Sequence, residues 1–125
     1  MDILLLLLLF QLKHYLADFV FQTYQQTVRK GIYRDPIGIS HTLDHVIGTF
    51  IVLFLAGFFM PVSCALIAVC GVLDLLLHYH IDYVKVKYGI KDLTKPLFWN
   101  QFGIDQLAHQ FTYIGFALLF KLQLI

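Results

Sequence analysis

The chain has 125 residues, 59% of them hydrophobic and 14% charged, with a mean hydropathy of +0.75. Soluble domains usually carry about 45–50% apolar and about 25% charged residues, so this composition indicates one integral membrane domain, residues 1–125, in contact with a lipid bilayer. The net charge of +1, with no basic stripe, zinc-finger spacing or glycine-rich phosphate loop, gives no ground for a nucleic-acid partner.

In chain order, the first apolar run covers residues 3–22. MDILLLLLLFQL has no basic leader and no small-residue cleavage site, so it reads as a retained membrane helix and not as a signal peptide. A polar link follows, residues 23–36, with Arg29, Lys30 and Arg34. The second run covers 37–59, Pro61 marks a turn, and the third covers 62–86. A second basic link, with Lys85, Lys87, Lys91 and Lys95, leads to the fourth run, 97–121. Each run reaches the roughly 20 residues that a helical span needs, and helices satisfy their own backbone in lipid. The expected fold is an all-α bundle of four transmembrane helices. Basic links stay in the cytoplasm, so both links face inward and both termini outward in a multi-pass inner-membrane protein.

Two words in the apolar runs are nearly the same: HYLADFV at 14–20 and HYHIDYV at 78–84. An ungapped offset of 64 residues aligns His14 with His78, Asp18 with Asp82, His41 with Asp105 and His45 with His109. The chain therefore reads as two parallel helical-hairpin repeats, about 1–60 and 62–125, related by an axis along the membrane normal. All eight side chains fall near the cytoplasmic ends of their helices. Partners four apart share a helix face.

A charge near a helix centre costs about 2.5–3.5 kcal/mol on insertion scales, so these groups must face one another or a ligand. His14, Asp18, His41 and His45 in the first half, and His78, Asp82, Asp105 and His109 in the second, are the candidate metal ligands. Imidazole and carboxylate together suit zinc, with manganese or iron as alternatives. Eight donors on four helices suffice for one or two ions. The competing reading is a metal-free His–Asp network that relays protons or fixes the bundle. Asp44 and Asp74 are candidates to hold a ligating imidazole from behind, and Gln106 to hold a ligand or substrate. His80 points away from His78 and reads as interfacial packing. Lys13 either snorkels or pairs with a buried aspartate. Ser40 reads as a helix-capping residue, and no serine or cysteine completes a nucleophilic triad. Cys64 and Cys70 are six apart on one helix, too far to bridge within it. Gly48, Gly57, Gly71 and Gly115 allow close packing, within the chain or in a homodimer.

The words H-x-L-A-D-F-x-x-Q-T from His14 to Thr23, H-x-x-x-H from His41, H-x-x-x-D-x-x-K from His78 to Lys85 and D-Q-x-x-H from Asp105 resemble a family of small bacterial and phage inner-membrane proteins, domain of unknown function 3307. That family is distantly similar to membrane-bound metal-dependent hydrolases. The repeated ligand pairs at one depth give the expected activity, hydrolysis of a lipid-linked or membrane-accessible ester or phosphoester, with metal-activated water and an aspartate or histidine as base. The alternative is a non-enzymatic membrane protein handling metal ions or protons, or a structural polar network.

Overall fold

The computed structural model describes residues 2–123, and they are helical nearly throughout. Helix α1, Ile3–Tyr15, is capped by Asp2 and runs directly into a π-helical stretch, Leu16–Phe21. A short helix α2, Tyr24–Arg29, follows, with a reciprocal cap between Thr23 and Gln26. Helix α3 covers Pro36–Gly57, α4 covers Cys64–Tyr88 and α5 covers Pro96–Gln123. Proline opens α3 and α5, where its missing N–H costs no hydrogen bond. Ser63 caps α4. Gly89 ends it, and a Cβ there would lie 2.3 Å from the Lys85 carbonyl oxygen.

Two readings of the first link change. Residues 24–29 form a helix, not a loop. The cap of α3 is Asp35, not Ser40: the Asp35 carboxylate accepts from the backbone N–H of Ile37 and Gly38 at 3.0 and 3.3 Å. Ser40 lies inside α3 and donates to the Ile37 carbonyl. The Arg29 guanidinium grips the same Asp35 carboxylate and holds it below the usual carboxylate range. A lowered native pKa makes this contribution fully present above the ordinary carboxylate pKa. It is lost as pH falls through the lowered value. The start of α3 is therefore expected to stay closed from pH 5 to 8 and to open in acid. Amide exchange at Ile37 and Gly38, corrected for its intrinsic pH dependence, should rise below about pH 4. It should already be fast at neutral pH in Asp35→Ala.

The four long helices form a ring in which α1 and α4 each pack on both α3 and α5, while α2 packs on α3. One end of the ring is an apolar core. Leu6 and Phe10 meet Val52, Leu53 and Ala56, Leu66 and Cys70, and Phe116 and Phe120. These come from the first halves of α1 and α4 and the second halves of α3 and α5, so neighbouring helices run antiparallel. The other end is polar inside, with buried histidines, aspartates and lysines. Leu4, Leu8, Phe54, Phe58, Val72, Phe111 and Leu118 point outward and are exposed. That inside-out distribution suits a lipid surround.

Three helical segments, Ile3–Phe21, Pro36–Gly57 and Cys64–Tyr88, are long and apolar enough to cross a membrane. With 28 residues, α5 is about 42 Å long. Residues 100–110 include Asn100, Gln101, Asp105, Gln106, His109 and Gln110, which lowers the hydropathy of α5 below that of the other three. Cys64 and Cys70 are both free. Gly48 and Gly71 lie against Lys13 and Phe50, whereas a Cβ added at Gly57 or Gly115 would meet nothing within 4 Å among the described residues.

Candidate metal centre

Below the apolar core, each helix of the ring contributes polar side chains in two successive layers. The histidine layer holds His14 of α1, His45 of α3, His78 of α4 and His109 of α5. Next come Asp18, His41, Asp82 and Asp105, one turn on. All eight are buried. The rings nearly touch, with centroids 3.6 Å apart for His45 and His78 and 4.2 Å for His78 and His109. Asp18 sits in the π-helical stretch, a local widening of the helix often found at functional sites.

The donor distances carry chemical information. His41 Nε2 lies 3.0 Å from Asp18 Oδ1 and 3.2 Å from Asp82 Oδ2. His78 Nε2 is 3.3 Å from Asp82 Oδ2. His109 Nε2 is 3.4 Å from Asp82 Oδ1 and 3.5 Å from Asp105 Oδ1. His45 Nε2 is 3.0 Å from Asp18 Oδ1, and His14 Nε2 is 3.2 Å from Asp18 Oδ2. Yet His41 Nε2, His78 Nε2 and His109 Nε2 make no aligned hydrogen bond among the described residues. Two donors each about 2.0 Å from one tetrahedral ion lie about 3.3 Å apart. His45 Nε2 is hydrogen-bonded to Asp18 Oδ1, but the close, converging and unbonded Nε2 atoms of His41, His78 and His109 fit a cation among them better than a hydrogen-bond network, in which buried polar groups are normally paired.

Donor atoms come together in three sets: Asp18, His41, His45 and His78; His14, His78 and His109; and Asp82, Asp105 and His109. The sets do not follow the two sequence halves. His78 of the second half joins Asp18, His41 and His45 of the first, while His14 of the first half joins His109 of the second. The reason is the ring. Because α1 lies between α3 and α5, His14 turns toward α5 and meets Gln106 and Tyr113, each at 3.1 Å. Asp18 turns toward α3. The two aspartates that share an offset, Asp18 and Asp82, each send one oxygen toward either group.

Around the centre, the other motif residues find specific tasks. Gln22 donates to the Asp18 carbonyl at 2.7 Å and accepts from Lys30, which also reaches Asp82 at 2.9 Å. Thr23 caps α2. Lys85 lies 3.4 Å from Asp105. Gln106 spans His14 and Asp105. Asp44 and Asp74 do not back a histidine. Asp44 accepts from Gln26 at 2.9 Å. Asp74 accepts from Lys13 at 2.9 Å and from Thr49 at 2.5 Å. Their places in sequence suggested otherwise, but one further helical turn puts Asp74 at the level of Lys13, beyond the reach of the imidazoles. Lys13 therefore pairs with a buried aspartate and does not snorkel. His80 is turned away, bonded to the Leu76 carbonyl.

The sequence reading missed Lys30, Lys85 and Tyr113. Lys30 was counted only as a topology signal, and Lys85 closed the word H-x-x-x-D-x-x-K without being given a task. Tyr113 gathers Lys13 and His14 on its hydroxyl, each at 3.1 Å. A signal for it existed, since the same offset of 64 pairs Tyr113 with Thr49, a second polar residue in an apolar helix.

Residues 3–124 match the model of one family, described as Protein of unknown function (DUF3307). The chain belongs to that family. No curated protein and no solved structure matches it. The family match covers all the donor residues and brings no activity with it, so the chemistry has to be argued from the side chains.

Proposed function

We propose that this is a four-span inner-membrane protein holding two divalent metal ions near its cytoplasmic face, where it hydrolyses a membrane-accessible ester or phosphoester. On this reading α5 crosses with the others, its polar half shielded by the ring. The basic links, with Arg34, Lys87, Lys91 and Lys95, lie in the cytoplasm, and both termini lie on the opposite side. The two repeats form one domain around the centre.

The observation that carries the reading is the double reach of Asp18 and Asp82. Asp18 places Oδ1 beside His41 and His45 and Oδ2 beside His14. Asp82 places Oδ2 beside His41 and His78 and Oδ1 beside His109. Two carboxylates placed in this way would suit two cations, one held by His41, His45 and His78, the other by His109 together with Asp105 or His14. The nitrogen-rich group favours zinc, and the oxygen-rich group also suits manganese or iron. Two bound cations would supply Lewis-acid polarisation of the substrate oxygen and a water acidic enough to react near neutral pH.

The protein's own groups do the rest. Lys30 and Lys85 balance the aspartates. Tyr113 holds His14 Nδ1 and fixes the orientation of the ring; Nε2, which faces Gln106 Oε1 and Asp18 Oδ2, is the nitrogen that would take the ion. The apolar core of Leu6, Phe10, Leu53 and Phe120 closes the other end of the ring, which disfavours ion passage as the function.

Elemental mass spectrometry on the detergent-purified protein should find about two equivalents of divalent metal, lost when His45 and His109 are both changed to alanine. Absence of metal from the wild type, even after added zinc, manganese and iron, would overturn the centre. Metal without turnover of aryl esters or aryl phosphates would remove the hydrolase reading alone.

A further inference from the structure

Two lateral grooves open on the bundle, and the repeat relates them. One, of about 610 Å³, lies between α1 and α3, with Leu12, Leu16, Ile47 and Ile51 in its walls and Gln26 and Asp44 at its polar end. The other, of about 490 Å³, lies between α4 and α5, with Ile81, Val84, Ile104, Ala108, Lys85 and Asp105 around it.

Their polar ends differ because the links differ. Helix α2 lies across the first: Gln26 is buried and donates to Ser40 and Asp44, and Lys30 continues inward to Asp82. The donor equivalent to Asp105 on that side is His41, which is fully buried and forms no part of the groove wall. The second link, residues 89–95, contains no helix. There a donor of the centre, Asp105, forms part of the wall, beside Lys85. The Lys85 side chain is 26% exposed, and its ammonium lies 5.0 Å over the Phe102 ring.

We propose that the α4/α5 groove is the portal through which an amphiphile with one long apolar tail and a phosphate headgroup reaches the centre from the bilayer. This deepens the metal-hydrolase reading and rests on it. Ile81, Val84, Ile104 and Ala108 line the tail's path, so it need not cross water. Lys85 meets the headgroup at the inner end. Its charge, added to that of two divalent ions, outweighs the three aspartates and favours an anion over a neutral alcohol. The α1/α3 groove, shut by α2, takes no headgroup to the centre.

The test is binding of radiolabelled dodecyl phosphate to the full chain in phosphatidylcholine nanodiscs, with metal content measured on every sample. Wild type should bind saturably. Ala108→Trp should weaken binding about tenfold or more by filling the groove, and Ile104→Trp, at an exposed position, serves as a second block. Lys85→Gln should weaken it about tenfold by removing a charged hydrogen bond. Ile47→Trp, in the other groove, should change nothing. Dodecanol and inorganic phosphate should compete poorly.

Unchanged binding in both blocking variants, or loss in Ile47→Trp instead, would overturn the portal. Competition by inorganic phosphate as strong as by dodecyl phosphate would show a site for free phosphate and would also overturn it. Groove-dependent binding in protein without metal would remove the metal centre and leave the portal standing. Metal-loaded protein without groove-dependent binding would do the reverse.

Discussion

Asp82→Asn should strip most of both metal ions from the protein, whereas Asp105→Asn should cost about one. The difference follows from geometry. Asp105 approaches His109 alone among the histidines, at 3.5 Å. Asp82 has Oδ2 within 3.2 and 3.3 Å of His41 and His78, and Oδ1 within 3.4 Å of His109. An amide keeps the shape of the carboxylate but loses the charge and one acceptor. Loss of a residue that merely orients a ligand typically costs 10–100-fold in metal affinity, and a shared ligand should cost more than the upper figure. Asp82 also pairs with the buried Lys30 at 2.9 Å, so Asp82→Asn leaves a cation stranded and can unfold the bundle for that reason alone. Combining it with Lys30→Met removes the stranded charge. The double variant should fold like wild type and still lack metal. If Asp82→Asn keeps two equivalents, Asp82 does not join the groups, and the ions are held independently.

The gathering of the eight donors was legible because a charged side chain in an apolar helix has few places to go. Each of the eight is indeed buried at the polar end of the ring. What the sequence left open is which donor meets which. That depends on helix neighbours: His14 reaches Gln106 and Tyr113 on α5, and no spacing within α1 records it. The π-helical turn around Asp18 was invisible for a related reason, since HYLADFV and HYHIDYV are alike and only the first leaves the α form. Helix α2 was read as loop because six residues are too few for a clear hydrophobic period. Asp74 was placed behind the histidines by its stripe with His78 and Asp82, but stripe membership fixes a face and not a depth.

Lys13→Met should be the most destabilising single change outside the donor set, by about 3–5 kcal/mol. The ammonium lies 2.9 Å from Asp74, with side-chain exposures of 5% and 1%. Truncating one partner of so buried a pair leaves the other charge without compensation. Only Thr49 would remain on Asp74 Oδ2, and Oδ1 has no partner among the described residues. In a chain of this size the loss corresponds to about 10 °C or more in Tm, readable by thermal unfolding in detergent. Removing both charges, as Lys13→Met with Asp74→Leu, should restore most of it, because a buried ion pair and an apolar pair of similar volume are often close in stability. If the single variant is as stable as the double, the pair is not what holds this layer. The positions equivalent by the offset, Leu77 and Phe10, are apolar, so the pair occurs once and joins helices α1 and α4 across the ring. Gly48 makes the room for it, since a Cβ there would lie 2.7 Å from Lys13 Cγ.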